Sequence, residues 1–335
     1  MVGFVVRRVA ALVAVLLAVT GLAFGAMNVL GDPLFNVVGF IASVDCDAVA
    51  AGEVDDISGQ TAGGRGDCEV IAEARREHHL DRALPIRYGY WLGDIVRGDL
   101  GTSFKNEMPV REVIGEKLPK SVLLMVVAQV IAVGLAVPWA VAAAYRAHRP
   151  FDRASTVGTF GLVAIPSFAL GVILFYLFVV RWQIFSSRYD DTDLWSRLRS
   201  MVLPGLTLGL PAAAVYMRLL RTDLLTTLQE DFVLMARAKG MSDQWVMFRH
   251  VLRPSLFSLV TVFGLSTAGM IGGSLVVEQI FSIPGLGRAL VEAVIRDDFP
   301  IVLGGVVVVA TGFVVVNFAV DLLYTLIDPR VRADG

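Results

Sequence analysis

The sequence predicts an all-α membrane protein with six transmembrane helices, and three observations carry that expectation. Hydrophobic residues make up 56% of the 335 and mean hydropathy is +0.67. Charged residues are only 18%, below the roughly 25% of a soluble globular domain. Six runs, 9–31, 121–145, 154–180, 200–217, 255–277 and 299–320, carry no Asp, Glu, Lys or Arg over 18 residues or more. A helix needs about 20 apolar residues to cross the hydrocarbon core. Barrel strands are short and alternate in polarity, whereas these runs are continuous.

In chain order, residues 1–35 read as the first transmembrane helix and 36–120 as a large extracytoplasmic loop with an interfacial helix. Residues 121–335 read as a five-helix core that includes a cytoplasmic loop at 226–254. The first run follows Arg7 and Arg8. A cleaved signal sequence is the alternative there, with Ala23, Phe24 and Gly25 as its processing site. The run of 23 residues exceeds the roughly 7 to 15 of a signal core, which favours a retained helix.

Orientation follows from Lys and Arg near span ends. Arg146, Arg149 and Arg153 lie between spans two and three, six basic residues lie between spans four and five, and Arg330 and Arg332 follow span six. All fall on one side if both termini are cytoplasmic. The loop after span three pulls the other way with Arg181, Arg188, Arg197 and Arg199, beside Asp190, Asp191 and Asp193; acidic residues count little in this rule. The fourth run is short, and Leu219 and Leu220 extend it past Arg218, whose stem can snorkel.

The loop between spans one and two opens with a Gly- and Asp-rich stretch, "DAVAAGEVDDISGQTAGGRGD", that offers little for a core and reads as a surface loop. Cys46 and Cys68, the chain's two cysteines, bracket that stretch on the oxidising side, where a disulfide would restrain it. Two unpaired thiols are the alternative. Further on, Tyr88, Trp91, Leu92 and Ile95 recur at helical spacing, the pattern of an amphipathic helix at the membrane interface.

Small residues predict close helix packing: Gly205 and Gly209 in span four, Gly269 and Gly273 in span five. Such pairs serve either packing within the chain or contact with a second copy of the fold. Glu278 ends span five and reads as solvated at the interface. Asn317 and Asp321 share a face of span six, where a structural pairing of Asp321 with Arg330 or with the loop of Arg237 is the expectation over a proton relay.

No phosphate-binding loop, His-Glu-x-x-His, nucleophile elbow or Cys-x-x-Cys occurs. His78 and His79 are adjacent and point to different helix faces, so no metal site is expected; His148 and His250 join cytoplasmic basic residues. No basic cluster interleaved with aromatics appears, which sets nucleic acid aside. The expectation is a chain that is not an enzyme and binds no cofactor or metal.

The segment "DFVLMARAKGMSDQWVMFRHVLRP" at 231–254 is the sharpest local signal. Its first part is a short helix stopped by Gly240, the residue suited to a left-handed helix end. Ser242 caps a second helix in which Trp245, Phe248 and Leu252 define an apolar face, and Pro254 opens span five. Ala236 and Ala238 let another surface approach closely; Arg237 and Lys239 supply charge.

Here the chain resembles the ATP-binding-cassette importer permeases, specifically the dipeptide, oligopeptide and nickel subgroup. "ARAKG" after an acidic residue, then "RHVLRP", is similar to the family's EAA loop. Matching stretches extend along the chain: "GDP" at 31–33, "RGDLGTS" at 97–103, "LPKS" at 118–121, "IPSF" at 165–168, "VEQIFSIPGLGRALVEAVIRDDFP" at 277–300 and "DLLYTLIDPRVR" at 321–332. Two features depart from the pattern: the insertion between Cys46 and Cys68, and Phe232 where the family commonly has Tyr.

The resemblance implies a multi-pass subunit of the bacterial cytoplasmic membrane that forms half of a peptide pathway. It implies a second, related permease as heterodimer partner, cytoplasmic ATP-binding subunits that use ATP and Mg, and an extracytoplasmic substrate-binding protein. Glu230, Asp231, Phe232, Ala236, Arg237, Ala238, Lys239 and Gly240 would then form the coupling helix that meets the ATPase. Nickel complexes, glutathione or another small solute are alternative cargoes. An ion-coupled secondary transporter would show inverted repeats and midplane ionisable residues, and a scaffold would have no use for the Gly240 stop.

Overall fold

The computed structural model describes residues 2–30, 34, 38, 46, 65–77 and 81–327. These are helical in the main, and among them there is no strand, only an isolated bridge between Thr102 and Pro109. In order they form α1 (Val2–Leu30), α2 (Arg65–Glu77), α3 (Leu84–Val96), α4 (Val110–Tyr145), α5 (Pro150–Ala164) and α6 (Ser167–Phe175), which runs into a π turn at Tyr176–Arg181. There follow α7 (Leu194–Thr227), α8 (Asp231–Ala238), α9 (Asp243–Trp245), a second π turn at Val246–Val251, α10 (Leu252–Ile280), α11 (Leu286–Ile295) and α12 (Phe299–Ile327).

Among the described residues, five helices are long and apolar enough to cross a membrane, or six if α5 and α6 count as one broken span. The expected continuous third span is therefore corrected: α5 and α6 meet at 97°. The cause lies in "IPSF". A proline disfavours helical geometry in the residue before it, and Ile165 accordingly turns extended, with ψ 121°, before Pro166. Unbroken apolarity does not reveal that restriction.

The chain divides into two compact units: residues 1–5, 117–289 and 311–335 in one, 6–116 and 290–310 in the other. In the larger unit α7 is the central element, packed against α5, α6 and α10. Its side chains Met201, Leu208, Tyr216, Met217, Leu220 and Leu224 are buried. On α4, Ala128, Ala132, Ala136, Ala140 and Ala144 recur every fourth residue and are all buried, so one face of the helix is a smooth ridge. Gly205 and Gly209 of α7 lie against that face. A Cβ at Gly205 would come within 2.8 Å of Val127, and one at Gly209 within 2.7 Å of the Ala128 carbonyl. In lipid, close packing of small residues is what holds helices together. This pair thus packs within the chain. A Cβ at Gly269 would meet nothing within 4 Å, so the close packing expected at that position is corrected: the space beside it is open. Gly273 also lies on α10.

In the smaller unit, Phe24 of α1 packs on Tyr88 and Trp91 of α3, with ring centroids 5.7 and 5.4 Å apart. The Thr20 and Tyr88 hydroxyls hydrogen-bond at 2.8 Å. Leu34, Ile71 and Ala74 form a small buried cluster with Val38 and Cys46 against it, and Cys46 is bonded to Cys68 with Cα atoms 5.6 Å apart. The surface loop expected up to Asp67 ends sooner, because α2 begins at Arg65; the rest of it lies outside the described residues, as do His78 and His79. The "RGDLGTS" turn has positive φ at Gly98 and Gly101. It is tied to the start of α12 by Asp298, which accepts hydrogen bonds from the Ser103 hydroxyl at 2.5 Å and the Phe104 N–H at 3.2 Å.

Candidate coupling site

The segment singled out by sequence hangs between α7 and α10. The last two turns of α7 are anchored by buried Leu220 and Leu224, and the Thr227 hydroxyl reaches the Ser255 hydroxyl at 3.1 Å. The backbone then turns extended at Glu230, with φ −71° and ψ 145° and no side-chain cap bond, and enters α8. Asp231 in the first turn and Arg237 in the last complement the helix dipole.

α8 buries Val233 and Ala236 in the core of its own unit. The expectation that Ala236 faces a partner is thus corrected: positions 233 and 236 are one turn apart, and that face is taken by the chain itself. Phe232, Leu234 and Met235 are 40, 55 and 59% exposed, and Arg237, Ala238, Lys239 and Gly240 are exposed too.

The helix stop has the geometry the sequence predicts. Gly240 has φ +76°; its N–H donates to the Arg237 carbonyl at 2.9 Å, and the Met241 N–H donates to the Ala236 carbonyl at 3.4 Å. These two bonds satisfy carbonyls that a helix end otherwise leaves bare. A Cβ at Gly240 would meet nothing within 4 Å, so the requirement for glycine is conformational, not steric. Ser242 then caps the next turn, accepting from the Trp245 N–H at 3.4 Å.

The follower helix is corrected in two respects. It does not end before Pro254: α9, the π turn and α10 form one continuous rod. Pro254 has no N–H for the His250 carbonyl, and the widened π turn ahead of it accommodates the mismatch. That turn also shifts the buried face to Val246, Met247 and Val251, leaving Trp245 and Phe248 56 and 59% exposed. The segment therefore presents an open apolar surface with Arg237 and Lys239 beside it.

Two contacts that sequence reasoning missed brace this segment and the helix that leads into it. The Tyr145 hydroxyl, at the end of α4, donates to the Asp243 carbonyl at 3.0 Å. Arg221 of α7 donates twice to the Asp152 carboxylate of α5, at 2.5 and 2.7 Å, and the His148 N–H donates to the same carboxylate at 2.9 Å. His148, expected only as added basic charge, sits at φ +65° in the tight turn that makes this possible. The Arg237–Asp243 pair, 3.5 Å apart and largely exposed, contributes little.

Two further polar groupings lie in the same unit. The Gln129 amide donates to the Thr267 hydroxyl at 2.6 Å, the Tyr216 hydroxyl donates to the Gln129 carbonyl at 2.9 Å, and Tyr216 also bonds Ser266. Screening the runs for ionisable groups passes over this cluster; a glutamine inside an apolar run was its only signal. Glu278 was expected to be solvated and is fully buried. The Arg288 N–H donates to its Oε2 at 2.9 Å, and the neighbouring Leu286 N–H donates to the Ser121 hydroxyl at 2.8 Å. The bare N–H groups at the start of α11 replace water. Gly287 is required there, since its Cβ would stand 2.9 Å from that carboxylate.

Asn317 donates to the Phe313 carbonyl at 2.8 Å, while the expected pairing of Asp321 falls outside the described side chains. Among the described residues no group of three or more His, Cys, Asp or Glu gathers in metal-binding range.

Residues 136–333 match the family described as binding-protein-dependent transport system inner membrane component. The chain is 35% identical over 273 residues to an oligopeptide transport system permease protein of Bacillus subtilis (strain 168), covering 78% of this chain and 86% of that one. It is 34% identical over 340 aligned positions, all of both chains, to a putative peptide transport system permease protein of Brucella abortus (strain 2308). It is 34% identical over 271 residues to a glutathione transport system permease protein of Salmonella choleraesuis (strain SC-B67), covering 81% of this chain and 87% of that one.

Proposed function

Because the chain belongs to the binding-protein-dependent transport system inner membrane components, we propose that it is the permease subunit that forms half of a peptide pathway in an ATP-driven importer. The family implies ATP-binding and substrate-binding partners. The second half of the pathway is a related, distinct permease, and the assembly sits in the bacterial cytoplasmic membrane with both termini inside. This chain moves and does not hydrolyse: ATP and Mg belong to the ATPase subunits, and it needs no cofactor of its own.

The observation that carries this reading is the exposed stub α8, a short helix stopped by the two bonds around Gly240 and carrying apolar and basic side chains outward. Such a stub is suited to a cleft on a soluble partner: aromatic and Met side chains supply the contact area, and charge supplies steering. Its rigid tie to α7 and α10 passes movement on to the helices that line the pathway. Closure of the ATPases draws two such stubs together, and the permease pair opens outward by alternating access.

The names of the relatives support peptides as cargo; a glutathione system among them is itself a system for a small peptide. The test is ATP-dependent uptake by proteoliposomes holding both permeases, the ATPases and the binding protein. Labelled di- to pentapeptides are expected to accumulate. Accumulation of nickel complexes alone, with no peptide taken up, would overturn the peptide reading.

A further inference from the structure

The segment between α6 and α7 contradicts the charge rule, carrying arginines on the side that should be poor in them. Two of its acidic residues are already engaged. Asp191 pairs with Arg197 at 2.5 Å and with Lys120 at 3.9 Å, and Asp193 caps α7 by accepting from the Ser196 N–H at 2.8 Å. Arg188 and Arg199 have no carboxylate partner among the described residues; Arg199 makes one long bond, 3.4 Å, to the Ile184 carbonyl.

Both arginines line a cleft of about 200 Å³. Leu203, Pro204 and Phe281 also line it; Leu203 and Phe281 belong to the buried core, so that wall is rigid. Asp190 lies on the same lining. Serine hydroxyls position these charges: Ser186 accepts from the Arg188 N–H at 3.1 Å and Ser200 from the Asp190 N–H at 3.2 Å. Each hydroxyl keeps its own proton to donate. Pro204, lacking an N–H, leaves the Ser200 carbonyl without its usual helical donor. The cleft thus combines unpaired guanidinium groups, one carboxylate, hydroxyl donors, a spare carbonyl and an apolar wall.

We propose that this cleft receives the C-terminal residue of a short peptide, its carboxylate held by Arg188 and Arg199, as the peptide enters the pathway; this rests on the peptide-import reading above. The volume is below the roughly 300 Å³ that encloses a whole drug-sized ligand, which suits one end of a peptide. Guanidinium is matched to a carboxylate through paired N–H donors. The apolar wall takes the terminal side chain, and the hydroxyls and Ser200 carbonyl meet the last peptide group. A lipid phosphate offers guanidinium the same chemistry, but a headgroup gives the apolar wall nothing to bind.

The experiment uses the permease–ATPase complex in nanodiscs of neutral lipid and a tripeptide ending in a diazirine-bearing leucine. Photolabel is expected at residues 185–204 or at Phe281. Free-acid tripeptide should compete and its C-terminal amide should not. Arg188→Gln with Arg199→Gln should reduce labelling roughly tenfold, the scale of a charge-assisted contact. Arg188→Lys with Arg199→Lys should restore part of it. Absent label, label insensitive to the glutamine pair, or equal competition by the amide overturns the proposal. So does loss of the label on adding anionic phospholipid, which would make a headgroup the occupant. Uptake by the native complex separates the two readings: peptide import with an unlabelled cleft sinks this site alone, and no peptide import sinks both.

Discussion

The Asp152 carboxylate is gripped by Arg221 through two hydrogen bonds, 2.5 and 2.7 Å long, across 69 positions of sequence. With its side chain 4% exposed, Asp152 relies on Arg221 and the His148 N–H in place of water. The pair joins the turn between α4 and α5 to the part of α7 that leads into α8, and so braces the stub against the rest of its unit.

Removing Arg221 leaves Asp152 buried and uncompensated, a change that costs about 3 kcal/mol. Arg221→Met is expected to lower the melting temperature of the purified protein by several degrees. Asp152→Asn with Arg221→Met removes the stranded charge as well and should recover part of the loss. Equal melting of the single and double variants would show that the pair is not coupled.

The two alanines of the stub should behave differently. Ala236 is buried and Ala238 is exposed, although sequence reasoning treats both as room for a partner. Ala236→Asp places a carboxylate in an apolar core, a penalty of several kcal/mol, and yield in the membrane should fall. Ala238→Asp should reach the membrane at normal yield while uptake and substrate-stimulated ATP hydrolysis collapse. Normal uptake by Ala238→Asp would mean that this face meets no partner.

The sequence showed those features that are local. The apolar runs mark the long apolar helices, the third run excepted, and Gly240 and Ser242 mark a helix stop and start because each acts through bonds to residues a few places away. Features made by distant residues left no such trace. Asp152 and Arg221, or Gln129 and Tyr216, meet only when α4, α5 and α7 pack. Glu278 looked solvated because the donors that bury it come from the start of α11. The outward turn of Trp245 and Phe248 depends on a π turn, which hydrophobic periodicity cannot register because it assumes a constant 3.6-residue repeat.

The Cys46–Cys68 bond closes a loop with a sequence separation of 22. Restraining the unfolded chain over such a length contributes about 3 kcal/mol. Protein from an oxidising envelope should gain two mass units on reduction and alkylate only afterwards. Cys46→Ser with Cys68→Ser should melt at lower temperature, with the loss confined to the region of Leu34, Ile71 and Ala74 in hydrogen exchange. Alkylation without reductant would refute the bond.

Gly240 offers the cleanest separation of conformation from contact. Its φ is +76° and the space around its Cα is open, so any loss on substitution comes from backbone preference. Gly240→Val puts a β-branched residue where it is an outlier, at a cost of about 1–3 kcal/mol. The chain can relieve that strain only by giving up the bonds to Arg237 and Ala236, which misdirects the end of α8. Gly240→Asn tolerates the left-handed region far better. Both variants should insert normally, because nothing buried is disturbed. Substrate-stimulated ATP hydrolysis should fall steeply for valine and stay near the native rate for asparagine. If asparagine fails as badly as valine, the open space at Gly240 is filled by the ATPase in the assembled complex, and glycine is needed there for contact and not for the turn.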